Sequence, residues 1–288
     1  MKISEKPFYS VQGEGKNTGK LCTWLRVFGC DLQCRGFSQD EPANPASWKP
    51  QFPEIIDPKR IKCVEEIPLP VTGCDSAFSW SPAFKHLYPD RTPNYYAEEV
   101  LNLLPNKKFN KVGHIFTGGE PMLYQQDLHD VFRSWVAATP LNIPNWLGIE
   151  TNGTRELHPS KFIMMRDMLG SDFYFSISPK LLHVSGEKEK KAHRPDIAAS
   201  YIQFAPSSYL KFVVNTDPRA WEQLTRYVDD ISTLLGYTPE VWVMACGATV
   251  EQQESEYTPI IADMAISKGY NFSVRAHVIT WGNAQIGK

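Results

Sequence analysis

Residues 114–121 read HIFTGGEP, a short apolar run of strand character that passes directly into a glycine pair and a carboxylate. The same juxtaposition recurs on both sides of it. Downstream, WLGI at 146–149 runs into ETNGT at 150–154, and FYFSI at 173–177 runs into SPK at 178–180; upstream, LCTWLRVF at 21–28 runs into GCDLQC at 29–34. Three more apolar runs come later, YLKFVV at 209–214, VWVMA at 241–245 and FSVRAHVI at 272–279. Between most of them lie helix-like stretches such as 95–104, 126–138 and 221–235. Strands alternating with amphipathic helices predict repeated βα units around a parallel sheet. About seven strands fall short of the eight that close a barrel, so the expected fold is one α/β domain over residues 1–288, a partial, open parallel βα barrel.

In such folds the strand C-termini point to one face, where the loops assemble the active site. Gly118 and Gly119 let the backbone approach a ligand without a side chain in the way, and the adjacent Glu120 offers an anion for an ammonium group. Neither a GxxxxGK[ST] nor a GxGxxG pattern comes after a strand, which disfavours a nucleotide held by its phosphates.

Two segments break the rhythm. Residues 35–73 hold seven prolines (Pro42, Pro45, Pro50, Pro53, Pro58, Pro68, Pro70) and read as an irregular insertion over the surface. The polar stretch SGEKEKKAHRPD at 185–196 reads as a solvated loop. The whole chain of 288 residues balances 30 Lys and Arg against 32 Asp and Glu. That leaves no broad cationic field, so a nucleic-acid partner is not expected. No run of about 18 apolar residues occurs, and MKISEKPFYSVQGEG lacks a signal-type apolar stretch, so no membrane partner is expected and the protein is placed in the cytoplasm.

Six cysteines are too few for a disulfide scaffold, and in a reducing compartment they remain thiols. Cys22 and Cys246 lie inside apolar runs and read as core residues. Cys30 and Cys34 are separated by three residues after the first apolar run. Two thiolates so close suit zinc or an iron–sulfur cluster, and neither site is complete without further ligands. Cys63 and Cys74 are both within reach along the insertion, and spacing does not choose between them. A closed structural zinc site built from Cys30, Cys34, Cys63 and Cys74 is the non-enzymatic alternative.

Several motifs in matching order resemble the radical S-adenosylmethionine enzymes and, within them, the 7-carboxy-7-deazaguanine synthase family. They are FYSVQGEG at 8–15, WLRVFGCDLQC at 24–34, FTGGEPML at 116–123, IETNGT at 149–154, SISPK at 176–180, LKFVV at 210–214, VWVMACGATVEQQ at 241–253 and RAHVITWGN at 275–283. The departure is in the cysteine motif, which the family usually writes C-x3-C-x2-C. Here Phe37 stands where the third cysteine would be, and GCDSAFSW at 73–80 looks like the displaced remainder, giving C-x3-C-x39-C.

The resemblance implies a 4Fe–4S cluster on Cys30, Cys34 and Cys74, with S-adenosylmethionine on the remaining iron as the source of a 5′-deoxyadenosyl radical. It implies that Gly118, Gly119 and Glu120 line the methionine end of that cofactor, with Glu120 taking its ammonium, and that Thr151, Asn152, Ser178 and Lys180 surround the rest. Gln12 and Glu14 would hydrogen-bond a pterin ring, and Arg26 and His277 would hold the substrate carboxylate. An Arg fork suits a carboxylate because it engages both oxygens. Ser76 replaces the family's Thr beside a Mg²⁺ ion and keeps the hydroxyl oxygen. The implied activity is conversion of 6-carboxy-5,6,7,8-tetrahydropterin to 7-carboxy-7-deazaguanine with loss of ammonia. An external electron donor such as flavodoxin and a homodimer are the implied partners. An activase of glycyl-radical enzymes is the nearest alternative within the superfamily.

Overall fold

The computed structural model describes residues 1–138 and 141–282, so Asn283, the last residue of RAHVITWGN, lies outside them. Eight strands form one sheet in chain order: β1 (Phe8–Val11), β2 (Leu21–Val27), β3 (Gly113–Gly118), β4 (Leu147–Thr151), β5 (Phe173–Ile177), β6 (Tyr209–Val214), β7 (Val241–Ala245) and β8 (Asn271–Phe272). From β2 to β8 every pairing is parallel, and β1 lies antiparallel on β2. Among the described residues β1 and β8 do not pair with each other, so the sheet stays open.

The expected open α/β architecture is present, but the strand count that led to it is not. β1 lies in the polar FYSVQGEG stretch and is too short for periodicity to reveal; it is held by its ladder to β2 and by stacking of Phe8 on Trp24. At the other end the run 272–279 is no strand beyond Phe272. Residues Ala276–Trp281 form a helix in which Val278 is buried while Ile279 is exposed. The Val, Ile and Thr content mimics a strand, but the Ala276 N–H bonds to Gly13 O at 2.9 Å and turns the chain back onto the N-terminal loop.

Helices Pro93–Asn102, Gln125–Ala138, Ile163–Leu169, Pro195–Phe204, Pro218–Leu235 and Tyr257–Ser267 alternate with the parallel strands. Their apolar stripes supply Val100, Leu128, Val131, Phe132, Ile202, Leu224 and Ile231, which share one core with Leu25, Phe116, Ile149, Phe175 and Phe212 of the sheet. The alternate residues of the same strands face the other way. Registers Arg26↔Thr117 and Glu150↔Ser176 set polar side chains side by side on that concave face. Below them Cys22, Trp24, Ile115, Trp146, Tyr174 and Tyr209 pack into an apolar floor.

The insertion is built of short helical turns at 45–47, 52–55, 58–60 and 64–66. Its ends meet, for Gly73 N–H donates to Phe37 O at 2.7 Å and the Gln51 amide to Arg35 O at 2.8 Å. Its far side shares a satellite core with Phe28, Phe78, Phe84 and Tyr88, to which it contributes Ile67.

Candidate active site

A cavity of about 460 Å³ opens at the C-terminal ends of the strands. Its walls come from the N-terminal loop, the cysteine loop, the turns after β3, β4, β5 and β7, the segment 273–277 and residues 65–70 of the insertion. The insertion therefore forms one wall of the site as well as a surface loop.

Cys30, Cys34 and Cys74 all line this cavity. Burial pushes all three thiols up, Cys74 to about 11. Leu32 N–H donates to Cys30 Sγ at 3.4 Å, and the Asn152 amide lies 3.8 Å from the same sulfur. Cys63 is exposed and lines no part of the cavity. Among the described residues no three His, Cys, Asp or Glu side chains converge where a single ion would bind, which the four-cysteine zinc alternative requires. Cys22 is core as expected, whereas Cys246 lines the cavity, 3.7 Å from Ser38 Oγ.

The glycine pair owes its presence to the neighbouring strand. A Cβ on Gly118 would stand 2.2 Å from Val27 O, and one on Gly119 2.1 Å from Gly29 O. Both glycines also line the cavity. Glu120 is not among the lining residues. It is fully buried, and its carboxylate accepts from Met122 N at 2.9 Å, Asn152 N at 2.7 Å and Thr151 Oγ1 at 2.8 Å. Burial raises its carboxyl to about 7 against those three donors. Two of those bonds hold Thr151 and Asn152, which do face the cavity.

Ser178 and Lys180 line the opposite wall, with Lys180 Nζ donating to Ser178 Oγ at 2.9 Å. The 185–196 stretch is no solvated loop throughout. The Glu187 carboxylate accepts from Gln33 N at 2.6 Å and Cys34 N at 2.7 Å, and Lys191 reaches Asp31 O, so this segment braces the cysteine loop.

The substrate-side residues form a buried charge network. Glu14 receives Lys211 Nζ at 2.7 Å and Arg275 Nε at 2.9 Å. Burial pushes the Glu14 carboxyl up, but the two cations outweigh it and hold it well below the usual range. Lys211 also lies 3.5 Å from Glu150, which accepts from Thr117 Oγ1 at 2.7 Å and the Gln12 amide at 3.3 Å. Both polar ends of Gln12 are thereby taken by the protein, since its Oε1 accepts from Glu14 N. Arg26 pairs with Glu5 at 2.6 Å and donates to Ser76 Oγ at 3.4 Å; Ser76 in turn donates to Asp75 at 3.2 Å. His277 packs where a Cβ on Gly13 would lie 2.0 Å from its Nδ1, which accounts for the glycine of QGEG. Burial and the Arg275 charge lower its pKa.

Sequence reasoning singled out neither Lys211 nor Arg275, Glu5 nor Glu150 as functional. The signal was available for Lys211, a cation inside the apolar run YLKFVV, because an ionised side chain in a buried strand demands a partner.

An open βα sheet with cysteines, a GGE turn and an SPK turn at its strand ends is the arrangement that the resemblance to the radical S-adenosylmethionine enzymes implied. No family model matches it. Its curated relatives narrow the class: the chain is a full-length relative of the 7-carboxy-7-deazaguanine synthases. The protein of that name from Pyrobaculum aerophilum is 25% identical over 280 residues, 96% of this chain and 94% of that one. The Rhodopirellula baltica protein is 27% identical over 98% of this chain and 86% of its own, and the Halobacterium salinarum protein 25% over 96% and 89%. Among solved structures, Streptococcus suis SuiB aligns with a TM-score of 0.42 at 13% identity, covering 70% of this chain and 46% of SuiB. Among the described residues no helix is long and apolar enough to cross a membrane.

Proposed function

We propose that the protein is a radical S-adenosylmethionine lyase that converts 6-carboxy-5,6,7,8-tetrahydropterin to 7-carboxy-7-deazaguanine and ammonia. The observation that carries this reading is the gathering of Cys30, Cys34 and Cys74 around one cavity, across an excursion of 39 residues, while Cys63 stays outside. Three thiols lining one cavity, with two N–H groups directed at the Cys30 sulfur, fit a 4Fe–4S cluster and would leave one iron for a small ligand. When bound, cluster and S-adenosylmethionine supply an electron and a carbon radical.

The chain's own residues do the rest. Gly118 and Gly119 with Thr151, Asn152, Ser178 and Lys180 hold the cofactor against the cysteine wall. Arg26 and His277 present their donors to the substrate carboxylate, with Glu5 fixing the plane of the guanidinium. Glu14 faces the ring beside Gln12, and the paired cations Lys211 and Arg275 keep Glu14 ionised as an acceptor. Ser76, with its neighbour Asp75, would offer hard oxygens to a Mg²⁺ ion, which would supply a cation to balance the substrate's negative charge. The insertion wall at Ile67–Pro70 excludes water from the reacting centre. An external flavodoxin-like donor delivers the electron, and the working unit is a homodimer.

The test is anaerobic reconstitution with iron and sulfide, then addition of reductant, S-adenosylmethionine, Mg²⁺ and carboxytetrahydropterin, with the product read by mass. The expected result is a brown protein that forms the deazaguanine, loses its colour in Cys74→Ala and keeps it in Cys63→Ala. A colourless protein, or a brown one that leaves the pterin untouched, overturns the proposal.

A further inference from the structure

With 39 residues between Cys34 and Cys74, the length of chain between them does not by itself fix where Cys74 stands. Arg275 is built to fix that place. It is 8% exposed, and each arm of its guanidinium reaches a different segment. Nε donates to Glu14 Oε1 at 2.9 Å in the N-terminal loop, and NH1 donates to Gly247 O at 2.8 Å after β7. NH2 donates to Asp75 Oδ2 at 2.7 Å, one residue beyond Cys74. The Glu14 and Gly247 contacts belong to the sheet framework, so the third arm ties Asp75 to a fixed point. Gly73 N–H to Phe37 O holds the base of the insertion and Gly29 N–H to Ser79 O the turn beyond it, and the Arg275 arm fixes Asp75 between them.

We propose that Arg275 is the positioning residue that sets Cys74 for cluster binding. The inference rests on reading Cys30, Cys34 and Cys74 as cluster ligands. It assigns Arg275 no contact with cofactor or substrate: the guanidinium acts through Asp75.

The test tracks iron loss to a chelator and the EPR spectrum of the reduced cluster in Arg275→Met, Arg275→Lys and Asp75→Asn, each first shown by circular dichroism to be folded. Removing an outer-shell partner typically weakens metal holding about 10- to 100-fold, and that is the expected acceleration of iron loss in Arg275→Met, with a changed EPR signal. Arg275→Lys keeps the charge but not three arms, so partial recovery is expected, and Asp75→Asn falls between. A folded Arg275→Met that holds iron at the native rate with the native spectrum overturns the proposal. Should Arg275→Met fail to fold, Asp75→Asn decides, because it weakens the same arm while leaving Arg275 bonded to Glu14 and Gly247; a folded Asp75→Asn with native iron loss and a native spectrum then overturns the proposal. A native chain that takes up no iron fails the cluster reading itself, a distinct outcome.

Discussion

Gly119→Ala isolates steric cost from backbone strain, because Gly119 has no left-handed φ while its missing Cβ is tightly enclosed. The added methyl would stand 2.1 Å from Gly29 O, 2.6 Å from Gly29 C and 3.0 Å from Cys30 Cβ. Two of those atoms are backbone and cannot rotate away, so β3 must withdraw from the cysteine loop. Withdrawal breaks the bond from Glu120 N to Gly29 O, now 2.7 Å. An unsatisfied buried N–H costs about 1–3 kcal/mol, and overpacking costs about 1–3 kcal/mol more. At about 2 °C per kcal/mol for a chain of this size, the melting temperature of the metal-free protein falls by about 4–12 °C. Gly19→Ala is the contrast: φ is +85° and nothing lies within 4 Å of its Cβ, so only the left-handed strain of about 1–2 kcal/mol applies. Thermal melts monitored by circular dichroism compare the two. If Gly119→Ala melts within about 2 °C (about 1 kcal/mol) of the native protein, the glycine at 119 is not dictated by the backbone of the cysteine loop.

Three further outcomes come from the site. Glu120 has a folded pKa of about 7 against an ordinary value of 4.5, so its burial favours the protonated form. Its contribution is present below about pH 4.5 and fades as pH rises through 7, by about 3 kcal/mol in total; denaturant melts across that range should show a flatter profile in Glu120→Gln, and an unchanged profile contradicts the assignment. Lys211→Met leaves Glu14 and Glu150 without their shared cation and should cost about 3–5 kcal/mol of stability, read as a lowered urea midpoint; a midpoint at the native value would show the pair is not held as described. In the metal-free protein iodoacetamide should modify exposed Cys63 well before Cys30, Cys34 and Cys74, whose thiols burial keeps protonated. Peptide mass mapping checks the order, and early labelling of Cys74 would place it outside the cavity.

The fold was legible wherever a strand carried a full apolar period and a distinct turn came after it, as at HIFTGGEP and FYFSISPK. It was not legible at the two ends. FYSV forms a strand only because β2 offers it a ladder, and AHVITW forms a helix only because its backbone is claimed by Gly13. Both are cases of tertiary partners overriding local pattern. The site was legible in its motifs and not in their division of labour. Glu120 carries the most conspicuous carboxylate in the sequence, yet it is spent inside the wall, and Arg275 passed unnoticed beside His277. Burial and partner distance decide such roles, and neither is written in spacing.

The strictly sequential order of the sheet means that each new strand finds its only neighbour already made, so the barrel can grow in the direction of synthesis. Cys30, Cys34 and Cys74 all precede β3, whereas Arg275 comes after β8. A nascent chain therefore displays three thiols long before it owns the guanidinium that holds Asp75 beside Cys74. On the clamp proposed above, productive iron acquisition would be deferred until the last strand is in place.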